Sequence, residues 1–380
     1  MVFAKEMKKI AIFLGDFFWS SIPYDGIRLL ESLQDIGIDV DLLMFDQDIR
    51  LNKNFVGIEK YQFKSSVFKI KNLKTIKNWR ELYSISNDYA LILTSTHIAP
   101  KTRYPHELKD NKQCPIAVWD IGGGDILTNA VHFADFYFTK GAAWKEWLQK
   151  EKRIPEKQIY VTGSPHYDEY FLDNFKKETF CEKYGATPKQ KLILVCPTNP
   201  ASHVSQFDQN IQELEKIFSI AARYDSRILI KTYPNDYLFH ESDDQYTGVY
   251  KRIYGSCPQY EFLKNKFPDA IIIESQDHFD AVTHCDALFN MSGSHISWET
   301  HFSKRKSYSI NLKDKPYYKK VHYLKSVTYP DDVYNRSIEN IEEIFEFKGV
   351  DKFQDSDFIL RSNAAKSIAA TVKEVFKDLC

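Results

Sequence analysis

Cysteine and glycine are sparse in this 380-residue chain, with 6 and 14 copies, and no long apolar run occurs anywhere in it. Cys114, Cys181, Cys196, Cys257, Cys285 and Cys380 are scattered without a C-x-x-C pair. Neither a disulfide framework nor a cysteine-held zinc is therefore expected, and a reducing cytoplasm fits best. The first apolar stretch, Ile10-Ala11-Ile12-Phe13-Leu14, is too short for a signal peptide or a membrane span. The 11 histidines form no H-x-x-x-H pair on a convincing helix, so no protein-held catalytic metal and no other cofactor is expected. Walker A and G-x-S-x-G motifs are missing too. Excess charge of either sign is also lacking: 51 basic residues against 52 acidic ones leave a formal net charge of -1. That balance gives no global attraction to nucleic acid, which is excluded as an expected partner, although a local basic patch could still engage an anionic substrate or a membrane.

What is present is an ordinary globular composition, 43% hydrophobic and 27% charged, at a length that predicts two domains of roughly 150–200 residues. Short apolar runs alternate with amphipathic stretches, the rhythm of parallel βαβ units. Strands are expected at Ile10–Leu14, Val40–Phe45, Ala90–Thr94, Ile116–Trp119, Phe136–Thr139 and Ile159–Thr162. Ile27, Leu30, Leu33 and Ile36 fall at helical spacing before Gly37, a helix stop. After the polar stretch from Lys183 to Pro188 the alternation restarts, with strands at Leu192–Cys196, Arg227–Lys231, Ala270–Glu274, Ala287–Asn290 and Ser307–Ile310. Ile211, Leu214, Ile217, Phe218 and Ala221 form a helical stripe between the first two. Expected domains are residues 1–182 and 183–355, followed by an amphipathic helix over 356–380 with Ile368, Val372, Val375 and Phe376 on its apolar face.

In open α/β sheets ligands bind beyond the carboxyl ends of the strands, so the loops there hold the candidate site residues. Asn290 ends a strand and leads into Ser292-Gly293-Ser294-His295 and then Glu299. Free backbone N–H groups and hydroxyls there suit a nucleotide phosphate, the plain alternative being a helix cap by Ser294. Lys231 leaves a buried strand into Thr232-Tyr233-Pro234-Asn235; it either aims an ammonium at a phosphate or is simply solvated. Thr198 and Asn199 follow Cys196 in a Pro-stiffened loop that is either a donor contact or an ordinary turn. Gly122, Gly123 and Gly124 stand between Asp120 and Asp125. This costly run does not have dinucleotide-fingerprint spacing, and it offers two carboxylates as the base for an acceptor hydroxyl, or else a tight turn. Gly15-Asp16 places a carboxylate after the first strand, Asp25 reads as a helix cap or turn residue, and Gly163-Ser164-Pro165 reads as a hinge or rigid turn.

The order of three motifs carries a resemblance. Val161-Thr162-Gly163-Ser164-Pro165-His166-Tyr167-Asp168 resembles the "vtG-x-P-r-y-D" segment of CDP-glycerol glycerophosphotransferases and related bacterial surface-polysaccharide transferases. Ile230 to Asp236 resembles their "K-x-H-P" element, and Ser292-Gly293-Ser294 with Glu299 their "S-x-S…E" element. A similar His-Pro and Ser-Ser pair occurs in sialyl- and Kdo-transferases. The resemblance covers about residues 115–312. It implies a GT-B fold, two Rossmann-like domains with parallel sheets facing a central cleft, with the nucleotide held mainly by the second and the last helix crossing back onto the first. Tyr233 stands where the relatives have the His of His-Pro, so Lys231 or Tyr233 would take its role. Asp120 to Asp125 stands near where the glycerophosphotransferases have Trp-His-Gly.

The expected activity is metal-independent transfer of a sugar from a nucleotide-activated donor, CMP- or UDP-linked, to a cell-surface polysaccharide, capsule or lipooligosaccharide acceptor. Partners are then the nucleotide sugar and a glycan or lipid-linked acceptor, with cytoplasmic location and peripheral contact with the inner face of the membrane. Lys231, Thr198, Asn199, Pro234, Asn235 and the Ser292 to His295 loop would hold the donor, with Glu299 accepting from a ribose or sugar hydroxyl. Asp120 or Asp125 would be the base. Rival readings are a CDP-glycerol-type glycerophosphotransferase, a UDP-sugar 2-epimerase of the same architecture and a non-catalytic glycan-binding protein.

Overall fold

The computed structural model describes residues 9–14, 22–45, 73–95, 110–120, 133–171, 176–197, 207–231, 264–273, 277–290, 296, 299, 306–309, 360 and 363–376. These fall into two compact units, one running up to Phe171 and including the C-terminal helix, the other holding the described residues from 176 to 309.

The first unit is built on a seven-stranded sheet in the order β3-β2-β1-β4-β5-β6-β7, with every pairing parallel. Its strands are β1 (Lys9–Phe13), β2 (Val40–Phe45), β3 (Leu73–Ile76), β4 (Tyr89–Ser95), β5 (Ile116–Trp119), β6 (Phe136–Thr139) and β7 (Ile159–Val161). All seven residues of β4 and all four of β5 are buried. Such strands carry no polar face, which explains their unbroken apolar runs. β3 escapes the sequence reading because it is a four-residue edge strand, LKTI, with only two apolar members.

Helix α1 (Ile22–Asp35) lays Ile27, Leu30 and Leu33 onto this sheet, and Gly37 beyond it takes φ 85, the left-handed conformation that glycine adopts without strain. Gly26 lets the helix approach β1 closely: a Cβ there would lie 2.1 Å from Leu14 Cδ2. Asp25 lies inside the first turn of α1 and does not precede it, because the helix already starts at Ile22 with Pro23 in its opening turn, where a missing N–H costs nothing. Helices α2 (Trp79–Ile85) and α3 (Ala142–Lys152) complete the described helical cover before the C-terminal helix.

The second unit holds a five-stranded parallel sheet in the order β10-β9-β8-β11-β12. The strands are β8 (Lys191–Cys196), β9 (Ser226–Lys231), β10 (Ile271–Ile273), β11 (Ala287–Asn290) and β12 (Lys306–Ser309). Helix α4 (Lys177–Lys183) precedes it, α5 (Phe207–Ala221) joins β8 to β9, and α6 (His278–His284) leads into β11. α5 buries Ile211, Leu214, Ile217 and Ala221, while Phe218 stacks on Phe267 at 4.4 Å. Each fully buried Leu or Ile contributes roughly 1.5–3 kcal/mol, so this stripe alone anchors the helix.

The last described helix, α7 (Ala364–Val375), belongs to the first unit and is capped by Asn363. It packs on the α1 side of the sheet with Ile368, Ala369, Val372 and Phe376, and Phe376 meets Phe136 edge-to-face at 4.8 Å. The expected helix over 356–380 is corrected at its start, since Leu360 lies outside the helix and its amide instead donates to the Lys140 carbonyl at 2.6 Å. Val375, expected on the apolar face, is 41% exposed; small Ala364, Ala365 and Ala369 fill that face instead and allow closer approach. No helix among the described residues is long and apolar enough to cross a membrane.

Candidate functional site

The carboxyl edge of the second sheet gathers the described donor-site candidates. β8 ends at Cys196, β9 at Lys231 and β11 at Asn290, while Ile273 of β10 is paired with Lys231. Parallel strands all finish on the same side, so one edge collects the ends of these four strands. Lys231 is half-buried there. Glu299 is fully buried, and its Oε2 makes a short hydrogen bond with His278 Nε2. His278 opens α6, and its ring meets Phe279 edge-to-face at 5.1 Å. The Cys196 thiol is pushed up to about 12, chiefly by burial; Lys231 pulls the other way and Glu299 adds to the rise. Cys196 is thus a neutral wall of the site and not a nucleophile. Cys114, Cys181 and Cys285 are likewise buried.

The same edge of the first sheet carries a buried ion pair. Asp120 follows β5 and Lys140 follows β6, with Lys140 Nζ 3.4 Å from Asp120 Oδ2. Both side chains are almost wholly enclosed, and the ammonium lies 4.3 Å from the centre of the Trp144 ring. Burial drives the Lys140 pKa down, while Asp120 pulls it upward. Charges this deep persist only when paired. Lys140 carries the signal that marked Lys231, a lysine immediately after an apolar strand, and could have been read from FYFT-Lys140.

The Gly163-Ser164-Pro165 segment is a turn between β7 and a 3-10 helix, Pro165–Phe171. Gly163 has φ 86, and its amide, like that of Thr162, donates to the Thr139 carbonyl. The residues after it are turned inward. His166 Nδ1 lies 3.4 Å from Asp25 Oδ1, Glu169 accepts from Arg28 Nε at 2.6 Å, and Asp168 accepts from the Ala364 and Ala365 amides at 2.8 Å each. Asp25, His166, Asp168 and Glu169 are all buried. In this structure, then, the motif ties α1 and α7 to the end of the first sheet.

Of the residues singled out in the sequence, Asp120, Gly163, Ser164, Pro165, Lys231 and Glu299 are thus located, and Lys231 and Glu299 share one sheet edge. Gly15, Asp16, Gly122, Gly123, Gly124, Asp125, Thr198, Asn199, Tyr233, Pro234, Asn235, Ser292, Gly293, Ser294 and His295 lie outside the described residues. His278 was missed, because a single histidine at the start of a short helix carries no spacing signal.

No family model matches the chain, and no curated protein matches it. Solved structures do. The Methanocaldococcus jannaschii UDP-GlcNAc 2-epimerase, in complex with UDP-GlcNAc and UDP, is similar with a TM-score of 0.60 at 13% identity, over 96% of this chain and 99% of that one. UDP-N-acetylglucosamine 2-epimerase from Rickettsia bellii is similar with a TM-score of 0.63 at 12% identity, over 98% and 96%. The wall teichoic acid polymerase TagF is similar with a TM-score of 0.52 at 12% identity, over 97% and 89%. At these identities the likeness shows the fold: a GT-B-like α/β chain with two parallel sheets.

Proposed function

We propose that the protein is an enzyme acting on a nucleotide-activated sugar, and that it transfers the sugar to a surface-glycan acceptor. The carrying observation is the buried Glu299, held by His278 at the sheet edge where Lys231 also ends its strand. A cation and an enclosed carboxylate suit a nucleotide, whose phosphates need positive charge and whose ribose offers hydroxyl donors. The fold likeness to a protein solved with UDP-GlcNAc and UDP supports the same class of ligand.

In this reading Lys231 holds the donor phosphate, joined by the Thr198-Asn199 and Ser292 to His295 loops and by Tyr233 to Asn235. Asp120 or Asp125 takes the proton of the acceptor hydroxyl as its oxygen attacks the anomeric carbon. The bond from that carbon to the phosphate oxygen breaks, and the nucleotide leaves with the electron pair. Fixed dipoles and the lysine stabilise the leaving phosphate, so the step is proposed to need no metal. Asp120→Asn and Asp125→Asn, made separately, are expected to pick out the base: one abolishes transfer while nucleotide binding survives. Full turnover in both would refute the base assignment.

A second reading, interconversion of a UDP-sugar without an acceptor, is favoured by one specific observation: the epimerase likenesses run over nearly the whole of both chains. Thermal shifts with CMP, CDP, UDP, GDP and ADP test the common reading, since a ligand that binds only the folded state raises its melting temperature. No stabilisation by any of them would sink it. Incubation with UDP-GlcNAc alone separates the two, because an epimerase forms the 2-epimer without releasing UDP. A transferase releases nucleotide only when an acceptor is added.

A further inference from the structure

We propose that Leu360 and α7 form a releasable strap on the first unit: Asp168 fastens the first turn of the helix, and while it does so Leu360 stays on the end of β6 and keeps the buried Lys140–Asp120 pair closed to solvent. The proposal concerns how the carboxyl edge of the first sheet is held, and it does not depend on the nucleotide-sugar reading.

The hydrogen bonds form a closed circuit. The Thr162 and Gly163 amides donate to the Thr139 carbonyl at 3.1 and 3.2 Å, and farther along the same stretch Asp168 accepts from the Ala364 and Ala365 amides. Just ahead of α7, the Leu360 amide returns to the Lys140 carbonyl at 2.6 Å, next to Thr139. Lys140 is thus gripped from two sides, with its ammonium between the Trp144 ring and Asp120. The two halves of α7 are held differently. Ile368, Ala369, Val372 and Phe376 pin the body of the helix by apolar burial. The first turn relies on the Asn363 cap and on Asp168, whose carboxyl supplies acceptors that the helix itself cannot. The network around that carboxyl runs through Asp25, Arg28 and Glu31 of α1 and through His166 and Glu169 of its own 3-10 helix, while Lys366 of α7 is exposed. Burial and then Asp25 work against its ionised form, and the two amides and Arg28 work for it. Opposed contributions of this kind leave the fastening weaker than the apolar body, and local opening starts where stabilisation is least. Fraying of the first turn carries Leu360 off the Lys140 carbonyl and lets water reach the ammonium.

Acetylation of the full chain with an amine-reactive ester, read residue by residue by mass spectrometry beside amide exchange, tests this at increasing urea below the unfolding transition. Lys150, 67% exposed, serves as the open reference. In wild type, Lys140 labelling is expected to be slow but nearly independent of urea, the sign of a local opening that exposes little surface, whereas the β4 amides exchange faster with each addition of urea. Asp168→Ala should raise Lys140 labelling at least about tenfold, in step with exchange of the Leu360, Ala364 and Ala365 amides, and leave Lys150 unchanged. Asp168→Asn keeps one acceptor oxygen and should fall between the two. Faster exchange at those three amides with Lys140 labelling at the wild-type rate would mean that the strap does not cover the pair, and overturns the proposal. A urea dependence of Lys140 labelling as steep as that of the β4 amides also overturns it, because only global unfolding then exposes the lysine. Should Asp168→Ala fail to fold, Asp168→Asn decides by the same two readouts. Neither depends on any nucleotide, so failure of the proposed function leaves this test intact.

Discussion

Asp168 and Ala364 stand 196 positions apart in sequence, yet the carboxylate of one accepts the backbone amide of the other at 2.8 Å. The Ala365 amide takes the second oxygen at the same distance. One side chain thereby satisfies two of the orphan amides at the start of α7, a capping task usually done by a residue next to the helix.

Asp168→Ala is expected to leave those amides without their acceptor inside the fold. Stability should fall by about 1–3 kcal/mol in urea unfolding, with faster amide exchange along α7. Unchanged exchange there would show that apolar packing alone holds the helix.

The Asp168 carboxyl is pushed up to about 7, first by burial and further by Asp25, against the pull of the two amides and Arg28. His166 and Glu169 are buried in the same network. The ordinary value is 3.8, so between about pH 4 and pH 7 the native state holds more protons here than the unfolded chain does. The contribution of this group to stability therefore declines as pH rises through that window. Urea unfolding across the window should show Asp168→Asn with a shallower fall than wild type.

Gly26→Ala sets two effects against each other. Helix propensity gains about 1 kcal/mol, but a methyl group 2.1 Å from Leu14 Cδ2 overpacks the core at a cost of about 1–3 kcal/mol. Net destabilisation is expected, smaller in a Leu14→Ala background, as a double-mutant cycle would report.

Lys140→Met strands the Asp120 carboxylate in the interior and should cost about 3–5 kcal/mol. Adding Asp120→Asn removes the stranded charge, so the double variant should unfold at higher denaturant than Lys140→Met alone.

Lys231→Ala removes the cation at the end of β9. A charge-assisted hydrogen bond is worth about 1.5–3 kcal/mol, so affinity for UDP or CDP should drop by roughly ten- to a hundredfold, with uridine or cytidine binding unaffected. Equal losses for nucleotide and nucleoside would place Lys231 away from the phosphates.

Both sheets could be read almost strand by strand because parallel strands covered on two faces carry apolar runs, as at Ala90–Leu93 in β4, throughout β5 and at Leu192–Cys196 in β8. Gly37 and the Ile27, Leu30 and Leu33 stripe were legible for the same reason: local backbone and burial demands act on neighbouring residues. Position after a strand likewise identified Lys231 and Asp120 as edge residues.

The chain alone thus determined the alternation of its elements and the placing of Asp120 and Lys231 at strand ends. Tertiary structure decided the partners: Glu299 with His278, Asp120 with Lys140, Asp25 with His166, and Asp168 with the start of α7. Each of these pairs joins separate elements. Sequence periodicity reports on a residue's own element, whereas the balance of a buried charge depends on which distant atoms folding brings within hydrogen-bond reach.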